Sequence, residues 1–170
     1  MSSILRRPAP VFDAAKGLLL NEHFQIAYVT NDIDQAVEVF QRRFGVPGFR
    51  ESDAELPSGA TIKVRAAWLG GVAYEITCGQ GPGMELWACG APGSGFVLRH
   101  HHLGFLVPDE AAWAALEQAI ARGGWTVRQR SDHPGFGRIA CLEAPELGHY
   151  LEYIMPGPEL LARFEATPAW

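Results

Sequence analysis

The sequence contains little cysteine. Only three of its 170 residues are cysteines, Cys78, Cys89 and Cys141, and no two of them form a C-x-x-C pair. An odd number of thiols without such a pair predicts neither a disulfide framework nor a thiolate zinc site. We therefore interpret the three cysteines as small buried or loop side chains.

Long apolar runs and runs of positive charge are also missing. Apolar stretches such as Leu103–Val107 are far shorter than the roughly 20 residues that a membrane-spanning helix needs. Acidic residues outnumber basic ones by 19 to 14, and the formal net charge of -5 argues against a nucleic-acid partner. The apolar patch Leu18–Leu20 is too short for the core of a signal peptide. We therefore expect a cytoplasmic protein that neither spans a membrane nor binds nucleic acid.

The chain repeats itself at an offset of 77 residues. The segment Gln25–Asp32 (QIAYVTND) aligns with His102–Asp109 (HLGFLVPD), and both are short apolar runs that end in an aspartate. A second pair of apolar segments, around Glu75 and Glu152, has the same offset. Two matches at one offset without a gap predict two structural copies, which cover residues 22–78 and 99–155.

Each copy predicts one helix between a first strand and three further strands. In the first copy apolar residues recur at helical spacing between Asp32 and Gly45, which are suitable caps. The second copy has a similar stripe between Asp109 and the glycines Gly123 and Gly124. Short alternating segments then follow at 48–53, 61–69 and 71–78 and at 125–130, 136–143 and 148–154. The predicted fold is α+β, with two tandem βαβββ units.

The segments outside the copies carry weaker signals. We expect a single domain over 22–155, an N-terminal extension at 1–21 and a C-terminal tail at 156–170 that contains a short helix. Six glycines and two prolines between Gly79 and Gly95 predict a linker or a flap over a site. The apolar stretches Leu18–Leu20 and Leu160–Phe164 have no partner within the repeats, so we expect a homodimer.

Four polar residues lie inside the apolar strands. Because side chains alternate along a strand, Gln25 and His102 share a face with the small residues Ala27 and Gly104. The repeat makes Gln25 equivalent to His102 and Glu75 equivalent to Glu152, so the four side chains are expected to converge. Buried carboxylates are costly unless they are paired or bind a metal. One imidazole nitrogen and three oxygens suit one divalent ion such as Zn, Ni, Co, Mn or Fe.

Other side chains are candidates for contacts with a substrate. Arg138 and Lys63 alternate with apolar residues and are expected to project into the cleft, where they would hold an anionic group. Phe136 and Tyr150 are expected to line an apolar pocket. In the run His100–His102, alternation places His100 on the face of His102 and His101 on the other face. A solvated sheet surface for the basic residues and a core position for the aromatic ones are the alternatives.

The motifs QIAYVTND at 25–32, YEIT at 74–77, HLGFLV at 102–107 and GHYLEY at 148–153 resemble the vicinal oxygen chelate superfamily. That superfamily includes glyoxalase I, methylmalonyl-CoA epimerase, extradiol dioxygenases and bleomycin-resistance proteins. The resemblance covers about 22–155 and implies one cleft between two curved sheets, with a divalent metal at its base. Position by position, it implies the ligands of eukaryotic glyoxalase I at Gln25, Glu75, His102 and Glu152.

The sequence departs from several members of that superfamily. Gln25 replaces one histidine of the extradiol dioxygenases, which disfavours oxygenase chemistry. Val29 stands where glyoxalase I has an arginine for glutathione, and the asparagine expected after Glu75 is missing. Methylmalonyl-CoA epimerases usually have histidine at the first ligand position and glutamine at the second, which Gln25 and Glu75 do not match.

Two functions are compatible with these residues. The first is a glyoxalase-like, metal-dependent lyase or isomerase that enolises a small oxygenated, hydrophobic compound. In that enzyme Glu152 is the expected catalytic base and Glu75 its near-symmetric counterpart. The second is a drug-sequestering protein of the bleomycin-resistance kind, which would bind a small molecule in the same cleft without catalysis. The complete set of four metal ligands favours the enzyme.

Overall fold

The computed structural model describes residues 8–90 and 93–170. Residues 1–7 of the expected N-terminal extension and Ala91 and Pro92 of the expected linker lie outside the described residues. The first unit contains β1 (Glu22–Thr30), α1 (Ile33–Phe44), β2 (Arg50–Glu55), β3 (Thr61–Leu69) and β4 (Val72–Gln80). The second contains β5 (Leu98–Leu106), α2 (Glu110–Gly123), β6 (Val127–His133), β7 (Gly137–Ala144) and β8 (His149–Pro156). The chain then forms α3 (Pro158–Glu165).

The two long helices begin and end at the predicted caps. The Asp32 side chain accepts a hydrogen bond from the Gln35 backbone N–H, and the Asp109 side chain accepts one from Ala112. Each helix ends before a glycine in the left-handed region, where a side chain would be strained: Gly45 has φ 72° and Gly124 has φ 64°. Of the residues described, no helix is long and apolar enough to cross a membrane.

All eight strands form one curled sheet in the order β2-β3-β4-β1-β5-β8-β7-β6. Within each unit the first strand pairs in parallel with the last, and the pairs Gln25 with Ala73 and His102 with Tyr150 differ by the repeat offset. The units meet where β1 pairs with β5 in antiparallel fashion. This confirms the predicted α+β architecture of two tandem βαβββ units.

The seam between β1 and β5 contains two bulges at equivalent positions. In β1, His23 and Gln25 pair with two consecutive residues of β5, so Phe24 between them is an extra residue without a partner in the ladder. In β5, His100 and His102 likewise pair with two consecutive residues of β1, so His101 is the extra residue of that strand. Phe24 and His101 are related by the repeat offset. Each bulge therefore immediately precedes a predicted ligand, Gln25 or His102.

Helices α1 and α2 pack on one face of the sheet. The α1 side is built around Ile33, Phe40 and Ile76, and the α2 side around Leu116 and other residues of the second unit. Along each strand, the apolar residues that face the helices alternate with residues that face the other, concave side of the sheet. We call this concave side the cleft face. Burial of the apolar side chains against both helices leaves the cleft face free for polar groups.

Two segments cover the cleft face from its ends. Leu160 and Phe164 of α3 pack with Phe24, Trp68 and Phe136 at one end. At the other end Trp87, in the segment between the units, places its ring 4.9 Å from that of His101 and donates a hydrogen bond to Gln129. The part of this segment around Trp87 thus covers the sheet as a flap does.

The apolar stretches used to predict a homodimer have partners within the chain. Leu18 is buried in the α2 core, and Leu160 is buried against the cleft face. Leu19, at 56% exposure, and Leu161, at 47%, remain at the surface. The homodimer stays a prediction that sedimentation at micromolar concentration tests, and it now depends on the smaller exposed part of these stretches.

Candidate metal site on the cleft face

The four predicted ligands lie on the four central strands and on one face of the sheet. Pairing across the sheet aligns Glu75 of β4 with Ala27 and then with His102 of β5. The next row on the same face aligns Gln25 of β1 with Gly104 and then with Glu152 of β8. Two residues separate the rows along each strand, so the four side chains leave neighbouring points of the same surface.

Gln25 reaches across the seam because Gly104 has no side chain. A Cβ at Gly104 would lie 2.6 Å from Gln25 Oε1 and 2.8 Å from Gln25 Cβ, which is too close for either pair of atoms. Gly104 lies between Gln25 and Glu152 in the row across the sheet. The amide oxygen of Gln25 is thereby directed toward the second unit.

Two buried side-chain atoms of the described residues have no hydrogen-bond partner, and both belong to predicted ligands. They are Oε1 of Gln25 and Nε2 of His102. The Glu152 carboxylate is near, with Oε2 3.1 Å from His102 Nε2, but the direction of approach does not satisfy a hydrogen bond. Buried polar atoms without partners are rare in folded proteins because each costs about 1–3 kcal/mol. These two atoms therefore have electron-pair donor capacity to offer to a bound group.

His101 fixes the hydrogen positions on His102. The two Nδ1 atoms are 2.9 Å apart, and His101 Nε2 is 2.8 Å from the backbone oxygen of Leu86. A carbonyl oxygen only accepts, so His101 carries its hydrogen on Nε2. Burial and the nearness of His102 lower the pKa of His101 to about 4, which keeps the ring neutral at pH 7.

The neutral ring of His101 leaves its Nδ1 as an acceptor. His102 must therefore donate from Nδ1, and its Nε2 retains a lone pair that points toward the carboxylates. A metal-binding imidazole needs this arrangement, with one nitrogen hydrogen-bonded and the other free to bind. Burial disfavours charge on His102, yet the nearby carboxylates of Glu152 and Glu75 together outweigh burial and raise the pKa of His102. A proton and a metal ion would thus compete for Nε2.

Sequence alternation missed His101 as a site residue. The bulge places it on the cleft face beside His102, whereas His100 turns to the helix side, where its ring is 5.9 Å from that of Tyr28. The prediction that His100 shares the face of His102 is therefore wrong. The repeat is the signal that relates the two bulges. It makes His101 equivalent to Phe24, the apolar residue that is the extra residue of the other bulge.

Glu75 differs from Glu152 in its access to solvent. Glu152 is only 5% exposed and lies against His102, whereas Glu75 is partly exposed and lines a pocket. Thr77 donates a hydrogen bond of 3.1 Å to Glu75 Oε1. Burial raises the pKa of the Glu75 carboxyl above its ordinary value and outweighs the opposing charge of His102.

The carboxylates are not drawn together around a single point. Over the described ranges, no group of three or more His, Cys, Asp and Glu side chains is already gathered as a metal centre. The hydrogen bond from Thr77 holds Glu75 aside, while His102 and Glu152 are in contact. Binding of a metal would require Glu75 to rotate about its side-chain bonds, which the partly open position of this residue allows.

The four predicted substrate contacts lie in four different places. Phe136 lines the pocket beside Glu75, and Tyr150 lines a second pocket with His100 and His101. Arg138 lies on the helix side of β7, where it pairs with Glu110 and Asp132. Lys63 lies near Asp32 and Cys78 at the α1 side. The structure thus brings Phe136 and Tyr150 to the cleft face and does not bring Arg138 or Lys63 there.

The basic residues that line the cleft are others. Arg50 of β2 and Arg163 of α3 line the same pocket as Gln25 and Glu75. No periodic signal in the sequence marked them, because β2 is short and α3 lies outside the repeat. Ile139 and Val64 lie toward the cleft face. Arg138 and Lys63 are their immediate neighbours in the strands, so their side chains point to the opposite face.

Solved structures share this fold. The methylmalonyl-CoA epimerase from Mycobacterium tuberculosis is similar with a TM-score of 0.56 at 16% identity, over 82% of this chain and 91% of that protein. The Streptomyces coelicolor methylmalonyl-CoA epimerase, solved as a variant in complex with 2-nitronate-propionyl-CoA, has a TM-score of 0.53 at 18% identity, over 80% and 97%. No protein-family model matches the sequence, and no curated protein matches it closely enough to count as a relative. At these identities the likeness establishes the glyoxalase-like fold.

Proposed function

We propose that the chain is a metal-dependent isomerase or lyase of the vicinal oxygen chelate superfamily. The observation that carries the proposal is the pair of buried atoms without partners, Gln25 Oε1 and His102 Nε2, on one face with two carboxylates. Gln25, Glu75, His102 and Glu152 supply one nitrogen and three oxygens, which suit Zn, Ni, Co, Mn or Fe. Such an ion, when bound, polarises a substrate carbonyl and makes the neighbouring C–H more acidic.

The other charges on the cleft face support a cation at this point. Glu152 is buried, and its contact among the described residues is the His102 ring. Glu75 makes its hydrogen bond with the neutral Thr77. Two carboxylates held near each other in a buried place repel, and a divalent ion removes both the repulsion and the cost of burial.

We assign the role of general base to Glu75 in preference to Glu152. A base must reach the substrate C–H, and Glu75 lines an open pocket while Glu152 is covered. The Glu75 side chain would bind the ion in one orientation and, when Thr77 holds it aside, would be available as a base. Glu152 then acts as a ligand.

The pocket beside Glu75 supports a small, partly hydrophobic substrate. Its volume is about 120 Å³, and apolar side chains form much of its wall, among them Val64, Trp68, Phe136, Leu160 and Phe164. The solved neighbours include an epimerase in complex with methylmalonyl-CoA. Gln25 and Glu75 depart from the ligand pattern expected of such epimerases, so we propose enolisation without adopting that substrate.

Metal binding tests the proposal directly. The chain, freed of metal by chelation and dialysis, should bind one equivalent of Zn²⁺, Ni²⁺ or Co²⁺ in a calorimetric titration. His102→Ala should weaken binding by more than about 100-fold, because it removes a ligand. His100→Ala is the matched control, since this neighbour lies on the helix side, and it should bind metal as the wild type does. Equal binding by both variants would contradict the site.

Solvent exchange separates the enzyme from the alternative binding protein. An enzyme that enolises should replace the hydrogen beside the carbonyl of pyruvate or hydroxyacetone with deuterium in D2O, as NMR detects. A drug-sequestering protein would bind small molecules in the cleft without any exchange. Exchange that needs added metal and disappears in His102→Ala supports the enzyme. Metal binding without exchange for either compound favours the binding protein.

A further inference from the structure

The pocket beside Glu75 has two arginines in its wall. Arg50 of β2 and Arg163 of α3 both line it, and Gln25 and Glu75 line its other side. Arg50 Nε donates a hydrogen bond of 2.9 Å to Thr167 Oγ1, and Thr167 donates in turn to the backbone oxygen of Arg163. The two arginines are thus tied to one local structure where α3 meets β2.

Neither arginine forms an ion pair with a carboxylate among residues 8–90 and 93–170. Other arginines of the chain do: Arg65 pairs with Asp53, and Arg138 pairs with Glu110 and Asp132. Phe136 lies under Arg163, with the guanidinium carbon 5.2 Å from the ring centroid. This contact supports the side chain from one face and leaves its hydrogen-bond donors free.

The two positive charges act on each other. Burial lowers the pKa of Arg50, and the charge of Arg163 lowers it further, so the two guanidinium groups are near enough to repel. Arg50 is half-buried and Arg163 is exposed, and in the described part of the chain neither guanidinium is paired with a carboxylate, so an anion bound between them would offset their repulsion. The Glu75 carboxylate lines the same pocket and partly offsets the charge of Arg50, so an anion is expected nearer to the arginines than to Glu75.

We propose that Arg50 and Arg163 form a subsite for a compact oxyanion group of the substrate, either a carboxylate or a phosphate. Guanidinium groups bind both through paired N–H donors. The pocket volume of about 120 Å³ has room for a compact group of this kind. In the proposed reaction this anchor places the substrate with its reacting C–H toward Glu75. That orientation depends on the proposed function, whereas anion binding does not.

Calorimetric titration of the metal-free protein in chelator tests the subsite. Malonate and inorganic phosphate are the probes, and malonamide is the neutral analogue of malonate. We expect malonate or phosphate to bind and malonamide not to bind, and the tighter of the two anions identifies the oxyanion. Absence of binding by both anions, or equal binding of malonamide, overturns the proposal. Because no metal is present, failure of the metal site leaves this result readable.

Variants locate the binding. Arg163→Gln should weaken anion binding by about tenfold or more, as should Arg50→Gln. Arg163→Lys keeps the charge without the paired donors and should recover part of the affinity. Arg43→Gln is the matched control, because it removes the same charge from the exposed surface of α1. Equal loss in Arg43→Gln and Arg163→Gln would reduce the effect to overall charge and overturn the proposal. Circular dichroism checks that each variant is folded.

Discussion

Phe24 and His101 occupy the same place in the two halves of the chain and have different roles. Both are the extra residue of a bulge in the seam between β1 and β5, and both precede a proposed ligand. Phe24 packs its ring against Phe164 of α3, 5.4 Å between centroids. His101 lies 2.9 Å from His102 through their Nδ1 atoms. One bulge anchors a covering helix, and the other orients a ligand.

The comparison extends to the rest of each half. The second unit contributes His102 and Glu152, which are buried and in contact, beneath Trp87 and the segment between the units. The first contributes Gln25, which is also buried, and Glu75, which is partly exposed, and both line a pocket. The repeated backbone thus makes the positions of Gln25 and His102 equivalent, and likewise those of Glu75 and Glu152. The surrounding side chains determine how far each of these residues is exposed to solvent. We infer that the second half mainly holds the ion and that the first half faces the substrate.

Exchange kinetics provide the largest test of this division. Glu75→Gln removes the proposed base and should slow solvent exchange of the substrate C–H by about 10²- to 10⁴-fold with metal still bound. Glu152→Gln should chiefly weaken metal binding and leave exchange per bound metal much closer to the wild-type rate. NMR in D2O, with metal content measured for each sample, gives both quantities. A larger loss per bound metal in Glu152→Gln would move the base to the second half.

Stability provides the next test. Phe24→Ala should lower the free energy of unfolding by about 3–5 kcal/mol, because a buried ring between β1 and α3 is replaced by a cavity. Its affinity for metal, measured under native conditions, should change little. Urea unfolding of wild type and variant gives the first value, and metal titration gives the second. A stability cost below about 1 kcal/mol would show that α3 does not depend on Phe24.

His101 should show the opposite behaviour. His101→Leu removes the acceptor for His102 Nδ1 and should weaken metal binding by about 10- to 100-fold. His101→Asn places an amide oxygen near the position of the lost Nδ1 and should restore much of the affinity, which a purely structural role would not explain. Competition with a chromogenic chelator measures both variants. Identical affinities of the Leu and Asn variants would rule out the orienting role.

The smallest expected effect belongs to Gly104. Gly104→Ala places a Cβ against Gln25 and should cost about 1–3 kcal/mol of stability while displacing the amide oxygen from the site. Ala27, at the equivalent position of the first unit, carries a Cβ in the same row as His102. Gly48→Ala serves as control, since its nearest added contact is an ordinary 3.9 Å. Thermal unfolding compares the two, and equal midpoints would contradict the tight fit.

The repeat explains why much of the fold was predictable. One offset identified both units, and Asp32 and Asp109 cap their helices as the local pattern predicts. The sequence also predicts that four side chains share the cleft face, because side chains alternate regularly within each central strand from the bulge onward. These are Gln25, Glu75, His102 and Glu152. These features depend on neighbours close in sequence or on exact repetition, both of which a single sequence contains.

The rest depended on contacts that local patterns do not encode. A bulge arises from the pairing of β1 with β5, so alternation alone assigned His100 and His101 to the wrong faces. Arg138 alternates with apolar residues but on the helix side of β7, where acidic residues pair with it. Arg163 reaches the cleft only because α3 folds back over the sheet, beyond the end of the repeat.

The seam has a consequence for how the protein is made. β1 finds one pairing partner, β4, within the first unit, but its other edge pairs with β5, which belongs to the second unit. An open strand edge can pair with any chain that offers the same strand. A nascent first unit could accept β5 from another polypeptide, and the resulting domain-swapped pair would contain the same four-residue cluster assembled from two chains.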